Sequence, residues 1–407
     1  MAEQISLEDF EAEALDFLEA NAEPRVEEKR GWGEGSDRTG LFAEKTRAEE
    51  LAELAEAKAW KAKVFDAGFG WITGPARYGG RELAAAHDRR WQVLENGYRV
   101  PSGAQFGIGL GMVAPTILAH ATDDVKERYL RALYRGDLVA CQLFSEPGAG
   151  SDLASLQTQA IRDGDEWLVT GQKVWTSGAQ FSDIGEVICR TDLDAPKHKG
   201  LTGFVIDMHA PGVEVRPLRQ MTGGASFNEV FFTEVRVPDD HRLGDVNQGW
   251  TVALTTLMNE RASIGGGGGG GGMLGAQRLI DMVRHFGKDR DPLLRQGLAD
   301  IYIHSEVARL NNLRVMESLK AGQLPPPVMS TAKLSLTMNM QRVAEFAATV
   351  LGPRVTADTG EWGTYSWTEL ICGVPGMRVA GGTDEVMRNI IGERVLGLPK
   401  EPPVAAR

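Results

Sequence analysis

The sequence predicts an α+β fold in which a helical region, a region of short strands and a second helical region follow one another along the chain. Apolar residues recur at three- and four-residue spacing in the first and third regions, which is typical of amphipathic helices. The middle region instead has short β-rich runs separated by turn residues. Because alternating β–α–β units are missing, a doubly wound nucleotide-binding fold is not expected. The predicted domains are residues 1–137, 138–240 and 241–407.

The first region is predicted to be helical from about Leu7 to Gly136. Three glycines within it, Gly107, Gly109 and Gly111, form a partial GxGxG pattern. They follow no predicted strand and open no β–α–β crossover, so the pattern is a weak signal for phosphate binding. The helical spacing is carried by Leu51, Leu54, Ala55 and Ala59 and, further on, by Tyr129, Leu130 and Leu133.

The middle region is predicted to be a small all-β domain, and the third region is predicted to be helical again after Asn247. The proline cluster Pro325–Pro327 predicts a break between two of the later helices. The predicted strands lie in VACQLF, WLVTG, VWTS, IGEVICRT, GFVIDM, VEVRPL and VFFTEVRVP. The later helices lie in MLGAQRLIDMVRHF, LLRQGLADIYIHSEVARLNNLRVMESLKAG and TAKLSLTMNMQRVAEFAATVLG.

Length and charge narrow the class of protein. With 407 residues, of which 42% are hydrophobic and 25% charged, the chain can bury large cores and is not broadly disordered. The formal net charge of −12 argues against nucleic acid as the main ligand. The seven histidines include no HxH or HExxH spacing, so we expect no metal site.

The cysteines and the N-terminal sequence indicate the cellular compartment in which the protein is expected. Cys141, Cys189 and Cys372 lie too far apart in sequence for a CxxC metal site or a disulfide framework, which favours a reducing compartment. The acidic N-terminus MAEQISLEDFEAEALDFLEA lacks the basic and apolar parts of a signal peptide. No run approaches the roughly 18 apolar residues of a membrane span. We therefore expect a cytoplasmic protein without a membrane partner.

The most informative segment is Cys141–Asp152, where a predicted strand runs into a turn rich in glycine and small hydroxyl residues. Gly148 and Gly150 allow the backbone to approach a flat or anionic ligand, while Ser145 and Ser151 supply hydrogen-bond donors and acceptors. An ordinary β-turn in which a proline presets φ accounts for the same residues. Taken alone, the segment leaves both interpretations open.

A second segment, Thr170–Gly178, carries a tryptophan beside two hydroxyl residues on a predicted strand. An indole is a suitable wall for an aromatic cofactor ring, although a tryptophan on a strand is more often part of the core. The order and spacing of the two segments, rather than the tryptophan alone, therefore favour a cofactor-binding interpretation.

Five segments in the same order resemble the acyl-CoA dehydrogenase family, and the resemblance covers nearly the whole chain. Besides the two segments just described, they are Phe231–Pro238, Asn247–Trp250 and Gly381–Arg394. The resemblance implies an N-terminal all-α domain, a middle β-barrel-like domain and a C-terminal four-helix bundle. It also implies FAD as cofactor, an acyl-CoA thioester as substrate in fatty acid or lipid degradation, and an electron-transfer flavoprotein as acceptor. Homodimers or homotetramers are expected, with a mixed tetramer as an alternative, because in this family one subunit completes its neighbour's flavin site.

The resemblance carries cofactor contacts over to the first two segments. Ser145 matches a hydroxyl beside the flavin ring. Gly150 and Ser151 match a turn that binds flavin phosphate or thioester-side groups, so Ser151 is also a candidate substrate contact. The lining of the isoalloxazine ring is matched by Leu143, Trp175, Thr176 and Ser177.

Further contacts carry over to the third region. Thr383 and Glu385 match cofactor contacts in the last motif, and Gly352 matches a backbone contact to the adenosine half of FAD from a neighbouring subunit. The family also has an arginine before a Phe-Gly pair. Here Arg284 stands one residue closer to Phe286 than in that pattern, so an arginine at 290 is kept as an alternative.

The base of the reaction departs from the pattern of many family members. Oxidising a thioester across its α and β carbons needs a carboxylate that removes the α-proton while a hydride leaves for flavin N5. Many members place that glutamate directly before the Gly-Thr of the last motif, where this chain has Gly381 followed by Gly382. Another branch uses a Glu-Arg pair downstream of the Asn-x-Gly-Trp motif, which matches Glu260 and Arg261.

The resemblance therefore implies Glu260 as the base, with Arg261 anchoring the helix or binding the CoA side of the substrate. So weakly acidic a proton needs preorganised donors at the thioester carbonyl, and the resemblance assigns the backbone amide of Gly381, with a flavin ribityl hydroxyl, to this role. As an alternative, Glu260 and Arg261 are exposed residues in a helical first turn. The run Gly265–Gly272 is either a flexible linker or a helix beneath the acyl chain, where missing side chains suit a branched, cyclic or otherwise bulky acyl group.

Taken together, the motifs predict an FAD-dependent acyl-CoA dehydrogenase that makes a trans-2-enoyl-CoA. One alternative keeps the fold but uses oxygen, as an acyl-CoA oxidase or flavin monooxygenase. Another is a non-catalytic subunit of a heterotetrameric dehydrogenase, because the usual carboxylate is absent at Gly381.

Overall fold

The structure is a computed structural model, and it confirms the predicted order of helical, β and helical regions. Two features named in the sequence fall wholly or partly outside the described residues: Pro325–Pro327 entirely, and the glycine run beyond Gly266. The structure describes residues 5–26, 32–34, 36, 37, 39, 45–266, 275–320 and 329–400.

The first region is helical, as predicted. Its α-helices are α1 (Leu7–Asn21), α2 (Arg47–Asp66), α3 (Ala85–Glu95), α4 (Ala114–His120) and α5 (Asp123–Arg135). Helix α2 begins with a capping box, in which the Thr46 hydroxyl accepts from the N–H of Glu49 and the Glu49 carboxylate accepts from the N–H of Thr46. Two short strands, β1 (Glu23–Pro24) and β2 (Tyr98–Arg99), add an antiparallel pair to this region.

A π-helical segment, Gly109–Val113, leads directly into α4. A Cβ built on Gly109 would lie 3.4 Å from the Cβ of Ala140 at the start of the first strand of the large sheet. The partial GxGxG pattern therefore allows a helix to pack closely against a strand at this glycine. Short π-helical segments are often found near functional sites.

The middle region forms an eight-stranded mixed sheet. Its strands are β3 (Ala140–Leu143), β4 (Gln159–Asp163), β5 (Glu166–Ser177), β6 (Ile184–Arg190), β7 (Leu201–Asp207), β8 (Val213–Leu218), β9 (Phe227–Pro238) and β10 (Arg242–Leu243). The order across the sheet is β10-β7-β6-β4-β5-β9-β8, and β3 pairs with β6 in parallel. Buried side chains that include Cys141, Val187, Cys189 and Phe204 form one hydrophobic cluster, here called the sheet core.

Two strands differ from the sequence prediction. Strand β4 is absent from the predicted runs because its sequence QAIRD has little apolar alternation. In the structure, three of its five residues are exposed. Strand β5 joins the predicted WLVTG and VWTS runs into one strand. Its register with β9 shifts between Val169 and Gly171 and again between Lys173 and Thr176, so the apparent break in the sequence marks β-bulges within a continuous strand.

The third region is helical, and four of its helices contribute to a second hydrophobic cluster. They are α6 (Gly249–Gly266), α7 (Ala276–His285), α8 (Pro292–Lys320), α9 (Met329–Leu351), α10 (Ser366–Val379) and α11 (Asp384–Ile390). The cluster contains buried residues of α7, α8, α9 and α10, among them Met282, Ile301, Val343 and Trp367. No helix in the described part of the chain has both the length and the apolar character that crossing a membrane requires.

The chain divides into two compact units, and the division falls inside α6. The first unit comprises Met1–Glu28, Lys45–Arg219 and Ala225–Thr256, as far as these residues are described. The second comprises Lys29–Glu44, Gln220–Gly224 and Leu257–Arg407, with the same restriction. The finer division into domains 1–137, 138–240 and 241–407 stays a prediction.

Candidate active site

The turn that follows β3 offers an open backbone surface. The carbonyl oxygen of half-buried Ser145 accepts a hydrogen bond from the N–H of Val174, 2.8 Å away, which joins this turn to β5. A Cβ built on Gly148 or Gly150 would meet no atom within 4 Å, so packing does not require either glycine. Together with exposed Ser151, the glycines leave backbone and hydroxyl groups accessible to a ligand.

Trp175 lies in the second bulge of β5 and is 60% exposed, which contradicts its interpretation as a core residue. Its φ of +61° is in the left-handed region, where a bulky non-glycine residue is strained. Thr176, the next residue, is buried, and its Oγ1 has no hydrogen-bond partner among the described residues. Ser177 is half-buried, whereas the side chain of Leu143 is completely buried in the sheet core and leaves only its backbone for a ligand.

A buried ion pair connects these two segments. Lys173 is fully buried, and its Nζ donates hydrogen bonds to Oε1 of Glu146 at 2.9 Å and to the carbonyl oxygens of Phe144 at 3.0 Å and Ile188 at 2.9 Å. All three ammonium hydrogens therefore have acceptors within the protein. We call these four residues the Lys173 cluster.

Glu146 also accepts hydrogen bonds from the backbone N–H groups of Gln157 at 2.6 Å and Thr158 at 2.9 Å. Burial lowers the pKa of Lys173, and the nearby carboxylate of Glu146 opposes that shift. Burial by itself would raise the pKa of Glu146, but Lys173 and the surrounding donors hold it below its usual range. The Lys173 cluster thus fixes the turn after β3 against β5 and β6, beside the exposed tryptophan.

The turn before α11 has two consecutive glycines in left-handed conformations. The φ angle is +65° at Gly381 and +94° at Gly382, a region that glycine adopts readily and other residues adopt with strain. The hydroxyl of Thr383 caps α11 by accepting a hydrogen bond from the N–H of Val386 at 3.2 Å. Glu385 is exposed in the first turn, where hydrogen bonds from its own N–H and from Thr383 hold its pKa below the usual range.

A buried carboxylate lies directly after this turn. Oδ1 of Asp384 accepts hydrogen bonds from Oγ1 of Thr337 at 2.8 Å and from Nζ of Lys333 at 3.4 Å. Its Oδ2 accepts from Nε of Arg378 at 2.7 Å. Burial would raise the pKa of Asp384, but these donors hold it below its usual range. This Asp384 cluster fixes the glycine turn to α9 and α10.

Glu260 lies well inside α6. The helix begins at Gly249, so Glu260 is its twelfth residue and lies in the fourth turn. The alternative that places Glu260 and Arg261 in a helical first turn is therefore wrong. Glu260 is half-buried, and Thr256 precedes it by four residues on the same face of the helix.

The remaining predicted contacts lie around the end of α7. Arg284 is exposed in the last turn of that helix. Phe286 is half-buried, and the guanidinium of Arg354 lies 4.6 Å from the centre of its ring. Arg354 belongs to the short 3-10 turn Gly352–Val355, so the structure brings the turn that carries Gly352 next to Phe286.

Sequence reasoning missed the charged residues that support these turns. Lys173 and Glu146 lie within the two matched segments, and Asp384 lies between two residues that were singled out. The available signal was the presence of charged residues in runs that are otherwise apolar or rich in glycine. Such residues are almost never fully buried unless they are paired.

Family models match the chain in three consecutive segments. They are the acyl-CoA dehydrogenase N-terminal domain over residues 36–137, the middle domain over 141–235 and the C-terminal domain over 247–396. The chain is 35% identical over 354 residues to acyl-CoA dehydrogenase IpdE1 of Mycobacterium tuberculosis, a match that covers 86% of this chain and 90% of that relative.

Two further proteins extend the comparison. The chain is 41% identical over 287 residues to acyl-CoA dehydrogenase FadE34 of Mycobacterium tuberculosis; the match covers 70% of this chain but only 39% of the length of FadE34. A solved structure named Tcur3481-Tcur3483 steroid ACAD is similar with a TM-score of 0.74 and 25% identity, covering 98% of this chain and 99% of that one. ACAD abbreviates acyl-CoA dehydrogenase.

FAD is the cofactor of this family, and the described residues fit it. The orphaned hydroxyl of buried Thr176 needs a hydrogen-bonding partner that no described residue supplies. The exposed, strained Trp175 offers an aromatic wall beside it, and the turn at Ser145 offers polar groups. A flat aromatic ring edged with hydrogen-bonding atoms meets each of these needs. The chain belongs to the acyl-CoA dehydrogenase family of FAD-dependent enzymes.

Proposed function

We propose that this chain converts the CoA thioester of a bulky, ring-containing acyl group to the trans-2-enoyl-CoA, with Glu260 as the base that removes the α-proton. The ring-containing acyl group is supported by the similarity to a protein that is named a steroid ACAD. The glycines that end α6, Gly265 and Gly266, are consistent with a wide acyl site, since they add no side chains there.

The position of the base rests on the conformation of the glycine turn. A glutamate at position 381 would need the left-handed φ of +65°, at a strain of about 1–2 kcal/mol. Glu260 instead lies in regular helix and is half-buried, so a carboxylate is held there without backbone strain. These observations favour Glu260 over any carboxylate introduced at the glycine turn.

Removal of the α-proton requires help at the thioester carbonyl. The pKa of such a C–H group lies far above that of a carboxylic acid, so donors must stabilise the oxygen as negative charge develops on it. We assign the backbone N–H of Gly381 to this role, because it belongs to a turn that the Asp384 cluster holds rigid. As Glu260 takes the proton, the electron pair of the α C–H bond forms the new double bond. FAD, when bound, accepts the hydride from the β carbon.

The cofactor contacts are proposed in two groups. Ser145, Trp175, Thr176, Ser177 and the backbone of Leu143 would line the flavin ring, while Gly150 and Ser151 would bind phosphate or thioester-side groups. In the second unit, Arg284, Phe286, Gly352, Thr383 and Glu385 would contact the rest of the cofactor, some of them across a subunit boundary. Arg261 would bind the CoA side of the substrate.

We further propose that the chain works as an oligomer and passes electrons to an electron-transfer flavoprotein. Helix α8 supports the first point because it has an exposed apolar stripe with helical spacing. The stripe consists of Tyr302, Ile303, Val307, Leu310 and Leu313. A second copy or a related chain is the partner that this stripe suits.

A second candidate function is that of a non-catalytic subunit in a mixed dehydrogenase. Two observations favour it: the absence of a carboxylate at Gly381, and the pairing of two chain names in the steroid ACAD with a similar fold. In this case the chain would bind FAD and stabilise an active partner.

Anaerobic bleaching of the flavin tests the proposal. The FAD-loaded chain is mixed with straight-chain, branched and ring-containing acyl-CoAs, beside the Glu260→Gln variant. We expect rapid bleaching by ring-containing substrates and a rate about 10²–10⁴-fold lower in the variant, the usual contribution of a general base. The matched control is Glu127→Gln, which changes an exposed carboxylate paired with Arg77 on the surface.

Each other outcome has a definite meaning. Bleaching that survives Glu260→Gln would show that another group is the base. A flavin-loaded wild-type protein that no acyl-CoA bleaches would favour the non-catalytic subunit. A preference for straight medium chains would overturn the proposed acyl group.

A further inference from the structure

Strand β6 contains a fully buried glutamate that no part of the proposed reaction uses. Its neighbours Val187 and Cys189 contribute to the sheet core, and side chains alternate along a strand, so Glu186 projects to the opposite face of the sheet. There its Oε1 lies 2.5 Å from Oγ1 of Thr256 on α6. Its Oε2 has no hydrogen-bond partner among the described residues.

Two threonines extend this contact into a chain of hydrogen bonds. Oγ1 of Thr256 lies 2.9 Å from Oγ1 of Thr116 on α4, and Oγ1 of Thr116 lies 2.8 Å from the carbonyl oxygen of Met112 in the π-helical segment. When Glu186 is neutral, its hydrogen fills the 2.5 Å contact, and Thr256 can donate onward to Thr116. In that arrangement one chain runs from Glu186 to the Met112 carbonyl; the carbonyl oxygen of Val252, 3.2 Å from Oγ1 of Thr256, is the other acceptor for that hydroxyl.

The surroundings of Glu186 favour this neutral form. Burial raises the pKa of Glu186 to about 8, although its hydrogen bond with Thr256 acts in the opposite direction. No charged group contributes to the shift. The elements packed against it present Gln142 on β3 and Val205 on β7 at the paired positions. An unpartnered carbonyl-type oxygen costs much less to bury than an unpartnered carboxylate, which is consistent with the orphaned Oε2.

Other titratable groups on the packed elements have different partners. His120 on α4 has Nε2 2.8 Å from Oγ1 of Thr255, and burial lowers its pKa. Cys141 on β3 and Cys189 on β6 belong to the sheet core on the other face. Thr255 and Thr256 therefore tie one turn of α6 to α4 and β6, and Glu260 follows one turn later.

We propose that Glu186, held as a neutral carboxylic acid, is a positioning residue that fixes the turn of α6 leading to Glu260. The role of Glu260 in this statement rests on the proposed function. Glu186 acts through Thr256, since residues four apart lie on the same face of a helix. When Glu186 ionises, Thr256 donates to the carboxylate instead of to Thr116, and an uncompensated charge is left between β6 and α6, which loosens that turn.

The first test is the pH dependence of unfolding for the FAD-loaded chain. The folded state keeps the proton of Glu186 up to about pH 8, whereas the unfolded chain releases it near the ordinary value of 4.5. Stability is therefore fully present below the unfolded pKa and is lost as the pH rises to the folded pKa. We expect the unfolding constant of the wild type to rise about tenfold per pH unit in this window relative to Glu186→Gln. Equal pH dependence in the two proteins would overturn the neutral acid.

The second test is the rate of anaerobic flavin reduction. Glu186→Gln keeps a donor toward Thr256, so we expect a rate within about threefold of wild type at pH 7 and no decline above pH 8 from this group. Glu186→Leu and Thr256→Val break the chain, and we expect each to slow reduction about ten- to a hundredfold, with little change in the half-saturating acyl-CoA concentration. Wild-type rates and pH profiles in both variants would overturn the positioning role.

Controls separate this role from general destabilisation. Val187→Ala perturbs the same strand on the opposite face and is expected to lower stability without changing the pH profile of reduction. Thr256→Val keeps the side-chain shape and serves if Glu186→Leu does not fold. If Glu260→Gln stays active, the proposed base fails, whereas the pH dependence of unfolding still decides the state of Glu186.

Discussion

The Lys173 cluster and the Asp384 cluster each join a lysine to a buried carboxylate beside a turn of the candidate site, yet they neutralise charge differently. In the first, the Lys173 and Glu146 side chains are 0% and 6% exposed, and protein groups accept every ammonium hydrogen. In the second, the contact between Lys333 and Asp384 is long, at 3.4 Å, and the shorter ionic bond comes from Arg378, whose side chain is 34% exposed.

The two clusters differ in how far water can replace a lost charged partner. A dry pair has no substitute for a lost partner, because water does not reach the remaining charge. In the second cluster Lys333 and Asp384 are as deeply buried, but Arg378 is partly exposed, so water can replace one of the charged partners. The turn after β3 is therefore held by a pair with no solvent-exposed partner, while the glycine turn before α11 has one charged partner that solvent can replace.

The largest effect is expected from Lys173→Met, which leaves Glu146 buried without its partner. We expect a loss of about 3–5 kcal/mol in the free energy of unfolding, measured by urea denaturation. The control is Lys197→Met, which removes an exposed lysine paired with Asp152 near the same turn and is expected to change stability by less than about 1 kcal/mol. Similar losses in the two variants would remove the distinction between a dry and a wet ion pair.

A smaller effect is expected from Asp384→Asn. Asparagine can still accept hydrogen bonds, water can reach Arg378, and the buried ammonium of Lys333 keeps the carbonyl oxygen of Arg378 as an acceptor, so we expect a loss of about 2 kcal/mol at pH 7. The pKa of Asp384 is held below its usual range, so its contribution is present above the unfolded pKa of about 4 and is lost as the pH falls through the folded value. Denaturation at pH 7 and pH 3 measures both features, and a loss as large as that of Lys173→Met would contradict the comparison.

The smallest effect on stability is expected from Trp175→Gly. Relief of the left-handed strain is worth about 1–2 kcal/mol, and the added entropy of glycine in the unfolded chain offsets part of it. We expect the free energy of unfolding of the apoprotein to be unchanged or higher by up to about 1 kcal/mol. We also expect weaker binding of FAD, measured by a fluorescence titration. Trp175→Phe keeps an aromatic wall and should retain most of the affinity. Loss of stability without loss of FAD affinity would show that the tryptophan has a packing role.

The order of helices and strands could be predicted because it follows from local apolar spacing. Strand β4 could not, since its stability comes from pairing with β5, and QAIRD carries little pattern of its own. The two bulges of β5 also broke one strand into two predicted runs. Nonlocal pairing and register are properties that alternation in one segment does not encode.

The candidate site shows the same limit. The turn at Ser145 and the tryptophan at 175 could be found from their residue types and order. The burial of Lys173 could not, because the bulges of β5 interrupt the alternation that would assign it a face. Glu186 lies in a run that was predicted as a strand, but its burial against α6 depends on a residue seventy positions later in the chain.

The buried thiols of the sheet have a consequence for labelling. Burial raises the pKa of Cys141 on β3 and of Cys189 on β6 to about 12 each, and only a thiolate reacts readily with alkylating reagents. Cys372 on α10 is half-buried. The native chain thus holds two thiols that become reactive only when its sheet opens. Their modification therefore reports fluctuations of β3 and β6 without an engineered probe.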